Sequence, residues 1–279
     1  MTTKLWKSKD AAKCIIVPSA LDHKYSRGTL GAITGSAKFP GAAVLTSSAA
    51  IATGVGALRF HSNSGLAHLV LHRTPEAIVQ PGPVTAWLAG SGIDSKKYSD
   101  FTTWLRHRWF LLLNRQSVPT VLDAGALHLA GSLEQPTLIT PHSGELSKLL
   151  AQRGVIASAE LIESNPREWA QKASELLAVT VLLKGSKTVV AQDSYIIELP
   201  VATPWLATAG SGDVLAGIIG ALVATNYIEI LNDLKRLAEV AATGALIHNQ
   251  SALLASRGGP VNATMIVDAI PQAVAAILK

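Results

Sequence analysis

A single cysteine, Cys14, stands in a chain of 279 residues. No disulfide can form within the chain, and a reducing cytoplasm is the expected setting. No apolar run approaches the roughly 20 residues needed to span a bilayer, and the basic start lacks the apolar core of a secretory signal. Charged residues are scarce, at 15% against 48% apolar, which excludes a disordered chain. Aromatic residues reach only 5% while Ala and Val dominate, a composition suited to a layered α/β protein. Linkers rich in Ser, Gly or Pro are missing, as are internal repeats, so one domain is expected over residues 1–279.

The formal charge of +5 does not mark a nucleic-acid binder. Up to Lys38 there are seven basic residues and two acids, and beyond it the two signs balance at 17 each. The excess sits in Lys4, Lys7, Lys9, Lys13 and Lys24, so residues 1–25 are read as a flexible, solvated basic segment. No DNA- or RNA-recognition motif accompanies it. Other signatures are lacking too. There is no Walker A pattern, no Gly-x-Ser-x-Gly elbow and no His-Glu-x-x-His zinc site, and Leu215 occupies the third-glycine position of a dinucleotide fingerprint. His68 and His72 are four apart, but the run Leu66 to Leu71 reads as a strand, so they are taken as structural or surface residues.

What is present is an alternation of short β-rich runs and longer helical patterns. Strands are expected at residues 30–34, 84–88, 120–122 and 137–140, with helices at 41–56, 102–113 and from Ser143 onward. Pro166 divides the helical stretch 159–177. This alternation predicts a mostly parallel central sheet flanked by helices on both faces. Between residues 180 and 199 three strand-like runs lie only a few residues apart, which predicts antiparallel hairpins. Long helices are expected at 213–224, 234–255 and 263–278. Asp123, Thr140-Pro141-His142 and Lys184-Gly185 each follow a strand directly, so they are expected on one ligand-binding rim.

The most informative stretch is Ala207-Thr208-Ala209-Gly210-Ser211-Gly212-Asp213, which runs into the apolar Val214 to Leu222. Small residues lead to a turn, an acid closes it, and a helix begins. The amides of Gly210, Ser211 and Gly212 are barely shielded and sit at the positive end of the helix dipole, where a phosphate binds well. Asp213 is badly placed to bind phosphate but well placed to take a proton from a hydroxyl. The pair points to phosphoryl transfer onto an alcohol. The same residues also fit an ordinary capped helix start.

Other segments carry the same double reading. Lys184-Gly185-Ser186-Lys187-Thr188 offers a cation, a close approach and two hydroxyls, and equally fits a plain hairpin turn. His142 in Thr140-Pro141-His142-Ser143-Gly144-Glu145 suits either a substrate contact or a helix cap. Ala42 and Ala43 after Pro40-Gly41 leave room for a ligand or for close helix–sheet packing, and Ala89-Gly90-Ser91-Gly92 is a flexible loop after a strand.

In this order the segments resemble the ADP- or ATP-dependent NAD(P)H-hydrate dehydratases of the ribokinase-like superfamily. The matching pieces are Ser26-Arg27-Gly28, Gly35-Ser36, Pro40 to Ala43, Gly90-Ser91-Gly92, Val121-Leu122-Asp123-Ala124, Thr140-Pro141-His142 with Gly144-Glu145, Leu183-Lys184-Gly185 with Thr188-Val189, and Ala207 to Gly217. They cover nearly the whole chain. The resemblance implies a three-layer ribokinase-like fold, without the epimerase domain fused to some members. It implies repair of hydrated NADH and NADPH, with ADP as donor giving AMP and phosphate and Mg²⁺ bridging phosphates. Asp213 would be the base, and Gly210, Ser211 and Gly212 the anion hole. Lys184, Gly185, Ser186, Lys187, Thr188 and Gly212 would contact the nucleotide, and Ala42, Gly92, His142 and Asp213 the hydrate. No protein metal ligand is assigned, and a homo-oligomer, often a tetramer, is implied.

The chain departs from the family pattern at Ala202-Thr203-Pro204-Trp205-Leu206, where Gly-Asn-Pro-Gly-Met is usual, and at Ser91, where Pro is usual. A ribokinase-like kinase of the hydroxymethylpyrimidine or hydroxyethylthiazole type shares the Gly-x-Gly-Asp turn and is the rival enzyme. A non-catalytic nucleotide sensor is the rival outside enzymes, and intact Asp213 argues against it. His248, late in the chain, is read as a satisfied core histidine.

Overall fold

The computed structural model describes residues 2–95 and 100–279. The chain opens with β1 (Thr2–Leu5), a single turn α1 (Ser8–Ala11) and β2 (Thr29–Ile33). Next come α2 (Pro40–Thr53), β3 (Ala57–Phe60), α3 (Ser64–Arg73) and β4 (Ala86–Ala89). The short α4 (Phe101–Trp109) and α5 (Leu111–Arg115) lead to β5 (Thr120–Leu122) and β6 (Thr137–Ile139). Then α6 (Ser143–Ala151), α7 (Ala159–Ser164) and α8 (Pro166–Leu177) precede β7 (Thr180–Leu183), β8 (Val189–Gln192) and β9 (Tyr195–Glu198). The chain closes with α9 (Ser211–Thr225), α10 (Tyr227–Asn232), α11 (Lys235–Ser256) and α12 (Ala263–Ile277).

Among the described residues nine strands form one sheet in the order β1-β9-β8-β7-β6-β5-β4-β2-β3. From β3 across to β7 every pairing is parallel, while β8 runs antiparallel to both β7 and β9. The expected mostly parallel sheet with a hairpin region near 180–199 is therefore present. Alternate strand residues enter opposite cores. Leu30, Leu88, Val121 and Leu182 face α9, α11, α12 and α2, whereas Ile33, Trp87, Leu122 and Val181 face the layer holding α6 and α8. Both faces are covered, so the strands read as continuous apolar runs rather than alternating ones. Within the first layer α9 lies deepest. Its Val214, Ile218, Ile219 and Val223 are fully buried, and each contributes about 1.5–3 kcal/mol of burial.

Three expectations are corrected. Residues 66–71 are not a strand but the middle of α3, where Leu66, Ala67 and Val70 are buried at helical spacing and Asn63 caps the start by accepting from the Leu66 amide at 3.1 Å. His68 and His72 consequently share the exposed side of a helix. The helix expected over 102–113 breaks at Phe110 into α4 and α5.

The largest difference concerns the basic start. Residues 2–5 are an edge strand paired parallel with β9, and Trp6 is 1% exposed, its indole donating to Thr243 Oγ1 at 3.1 Å. Lys4 lies 3.1 Å from Asp10 and over the Trp6 ring. Lysine on an edge strand deters further pairing, so Lys4 belongs to a sheet margin, while Lys24 lies in an exposed turn. No described helix is long and apolar enough to cross a membrane.

Candidate active site

Parallel strands deliver their carboxyl ends to one edge of the sheet, and the rim expected there is found. Asp123, directly after β5, is 4% exposed. Its carboxylate accepts from Ser91 Oγ after β4 at 2.9 Å, Thr140 Oγ1 after β6 at 2.9 Å and Lys184 Nζ after β7 at 3.0 Å. The same ammonium lies 3.6 Å from Glu145 on α6. Burial alone would lower the Lys184 ammonium, but Asp123 and Glu145 outweigh it and hold it above the ordinary lysine value.

Across from this cluster the Gly-rich turn starts α9. Gly210 is the N-cap, with φ at 84°, a left-handed conformation that lets the chain enter the helix. A Cβ there would also sit 2.5 Å from Leu45 Cδ1. The amides of Gly210, Gly212 and Asp213 find no acceptor among the described residues. At Gly212 an added Cβ would meet nothing within 4 Å, so the cradle opens to space and not to packed protein. Ser211 differs from expectation, because its amide closes the turn on Thr208 O at 3.3 Å. Its hydroxyl lies 3.2 Å from His248 Nε2.

Asp213 is pushed up to about 6, chiefly by burial and then by the Asp123 charge, with Lys184 pulling the other way. A carboxylate tuned toward neutrality at a ligand-bearing edge is suited to accepting a proton. His248 is held down to about 4 by burial, so it is neutral beneath the turn.

Two cavities meet at His142. One, of about 620 Å³, is lined by Lys184, Gly185, Ser186, Thr188, Ser211, Gly212 and His248. The other, of about 710 Å³, is lined by Ile93, Ala124, Gly125, His128, Glu145 and Lys148. His142 contributes to both walls while capping α6. Its Nδ1 accepts from the amides of Gly144 at 3.1 Å and Glu145 at 3.3 Å, and Glu145 Oε2 accepts the His142 amide at 2.9 Å. Cap and cavity wall are thus one residue, where the sequence presented them as alternatives.

A family model described as NAD(P)H-hydrate dehydratase matches residues 30–272. The chain belongs to the NAD(P)H-hydrate dehydratase family. Among its relatives is a bifunctional NAD(P)H-hydrate repair enzyme of Mycobacterium tuberculosis, 35% identical over 234 residues, covering 79% of this chain and 46% of the relative. An ADP-dependent (S)-NAD(P)H-hydrate dehydratase of Neisseria meningitidis is 29% identical over 270 residues, covering 90% of this chain and 85% of that one. The chain spans about half the length of the bifunctional relatives it matches. Among solved structures, a Bacillus subtilis ADP/ATP-dependent NAD(P)H-hydrate dehydratase co-crystallised with ATP and Mg²⁺ superposes with a TM-score of 0.82 at 23% identity, covering 99% of each chain. That likeness shows the fold, and it is the ribokinase-like one.

Against this dehydratase frame, the candidate residues divide. Lys184, Gly185, Ser186, Thr188, Ser211, Gly212 and His142 share the first cavity. Lys187 does not. It lies at the exposed β7–β8 turn and lines a separate cavity with Arg167 and Glu198. Ala42 and Gly92 are brought together, but against each other: a Cβ on Gly92, whose φ is 65°, would fall 2.3 Å from Ala42 Cβ. Neither lines the two cavities that meet at His142.

The departure at Trp205 is absorbed locally. Pro204 and Leu206 line the first cavity, while Trp205, 41% exposed, is not part of its wall. Sequence reasoning missed Asn249, which fixes this loop by accepting from the Thr203 amide at 2.9 Å, and left His248 as core. Both follow the small-residue stretch of α11 that includes Ala245, which also lines the cavity. Polar residues in that apolar run were the available signal.

Proposed function

We propose that the chain is an ADP-dependent (S)-NAD(P)H-hydrate dehydratase, restoring NADH and NADPH from their hydrates with release of AMP and phosphate. The observation that carries this is the pair of unpaired amides at Gly210 and Gly212, open at Gly212 and immediately beside the raised Asp213, in a chain of this family. ADP takes the cavity of about 620 Å³ with its terminal phosphate on the cradle and near Lys184. The hydrated dinucleotide approaches from the cavity beyond His142.

Asp213 accepts the proton of the ring hydroxyl, and that oxygen bonds to the terminal phosphorus as the bond to AMP breaks. The carbon–oxygen bond then breaks, its electron pair leaving with phosphate while the ring nitrogen's lone pair compensates the carbon. Loss of a proton from the neighbouring carbon restores the double bond. Lys184 offsets charge on the migrating group, and His142 separates and orients the two ligands.

Mg²⁺ fits as a companion of the nucleotide. Among the described residues no group of three or more His, Cys, Asp or Glu side chains is arranged to hold a metal ion, and Mg²⁺ is satisfied by phosphate oxygens and water with few protein ligands. When bound it would neutralise phosphate charge. Assembly as a homo-oligomer belongs to the same proposal.

The test is incubation of the pure protein with hydrated NADH, Mg²⁺ and ADP or ATP in turn, following the return of reduced nicotinamide and the release of phosphate. Recovery with ADP supports the reading. Failure with both nucleotides, together with a stable phosphorylated product from a pyrimidine or thiazole alcohol, would replace it with a small-molecule kinase.

A further inference from the structure

Asp123 occupies the middle of the rim and takes no part in the binding or proton transfer described above. Three donors from three other strand ends converge on it: the Ser91 and Thr140 hydroxyls and the Lys184 ammonium. A buried carboxylate with three such partners is held in one place. Lys184, by contrast, has a choice, since Glu145 on α6 lies 3.6 Å from its ammonium on another side. Removing Asp123 would leave Glu145 as the carboxylate that draws the ammonium.

We propose that Asp123 is a positioning residue for phosphoryl transfer: fixed by the Ser91 and Thr140 hydroxyls, it holds the Lys184 ammonium against the pull of Glu145. This rests on the reading of Asp213 as the base. The charged groups acting on Asp213 are Asp123 from the end of β5 and Lys184 from the end of β7. Glu145 on α6 acts at one remove, through Lys184, and His248 on α11 is neutral. Asp123 raises Asp213 and Lys184 lowers it, so removing each charge should move Asp213 in opposite directions.

The experiment is a carboxylate ¹³C NMR titration of Asp213 in the unliganded full chain, with kcat measured on the same variants. Asp123→Asn keeps an acceptor for the Ser91 and Thr140 hydroxyls but loses the charge. The Asp213 midpoint should fall by about half a pH unit or more and kcat by about tenfold or more, and ADP binding should weaken as Lys184 shifts toward Glu145. Lys184→Met should raise the midpoint. An unmoved midpoint in Asp123→Asn, or a shift in the same direction for both variants, overturns the proposal.

Should Asp123→Asn not fold, Thr140→Val removes one tether and no charge. It should lower kcat and leave the midpoint in place, and an unchanged kcat overturns the positioning role. The titration needs no substrate, so its outcome is separate from the dehydratase assay. The expected shifts in a protein without dehydratase activity would sink the reaction and leave the electrostatic arrangement standing.

Discussion

Replacing Asp213 by Asn should produce a protein that is inactive and yet more stable. The carboxyl moves from an ordinary 3.8 to about 6 in the folded chain, first because it is buried and second because Asp123 is near. Each unit is worth about 1.4 kcal/mol, so ionised Asp213 destabilises the native state by roughly 3 kcal/mol. The sign follows from proton binding. The folded chain holds this proton more tightly than the unfolded chain does, so the group's contribution is favourable below about 4 and is lost as pH rises through about 6. Asn has no charge to lose. The advantage of Asp213→Asn should therefore be near zero below about pH 4 and reach roughly 3 kcal/mol above pH 6. Urea denaturation of both proteins across that window measures it. Turnover of hydrated NADH should drop on the order of a hundredfold to ten-thousandfold with ADP binding nearly intact. Equal stability at neutral pH would refute the electrostatic reasoning, and near-normal turnover would remove Asp213 from the chemistry.

Two further substitutions separate fold from site. Gly212→Ala adds a methyl into open space, so stability should hold or rise by up to about 1 kcal/mol while ADP affinity falls about tenfold or more, measured by calorimetry. Gly210→Ala instead meets Leu45 and an unfavourable φ of 84°, and should lose about 1–3 kcal/mol of stability; the same loss at both positions would contradict the open cradle. Trp6→Ala should cost about 3–5 kcal/mol in thermal or urea unfolding. A cost under about 1 kcal/mol would return the N-terminal segment to the status of a tail.

The rim was legible because each of its residues follows an apolar strand directly, and because small residues ahead of an apolar helix leave amides exposed. Asp213, Lys184 and His142 could be placed on that basis alone. What escaped was everything decided by partners distant in sequence. Leu66 to Leu71 has strand-like content, yet Asn63 and the packing of Val70 make it helical. Lys4 and its neighbours count as charge in a composition, but Thr2–Leu5 finds β9, which no local pattern announces. Ala42 and Ala43 left room for a ligand or for close packing, and on the side facing Gly92 the Ala42 methyl lies where a Gly92 Cβ would fall. The link between Lys184, Asp123 and Glu145 depends on two strand ends and a helix coming together, which spacing along the chain does not encode.

The union of β1 with β9, and of Trp6 with Thr243, has a cost in time. These contacts join residues as many as 237 positions apart. A ribosome adding about 5–20 residues per second would leave the indole waiting roughly ten to fifty seconds for its partner to be synthesised. Throughout that interval an apolar side chain beside an unpaired strand edge is available to chaperones or to other nascent chains, and the sheet's outermost strand is among the last pieces of the protein able to dock.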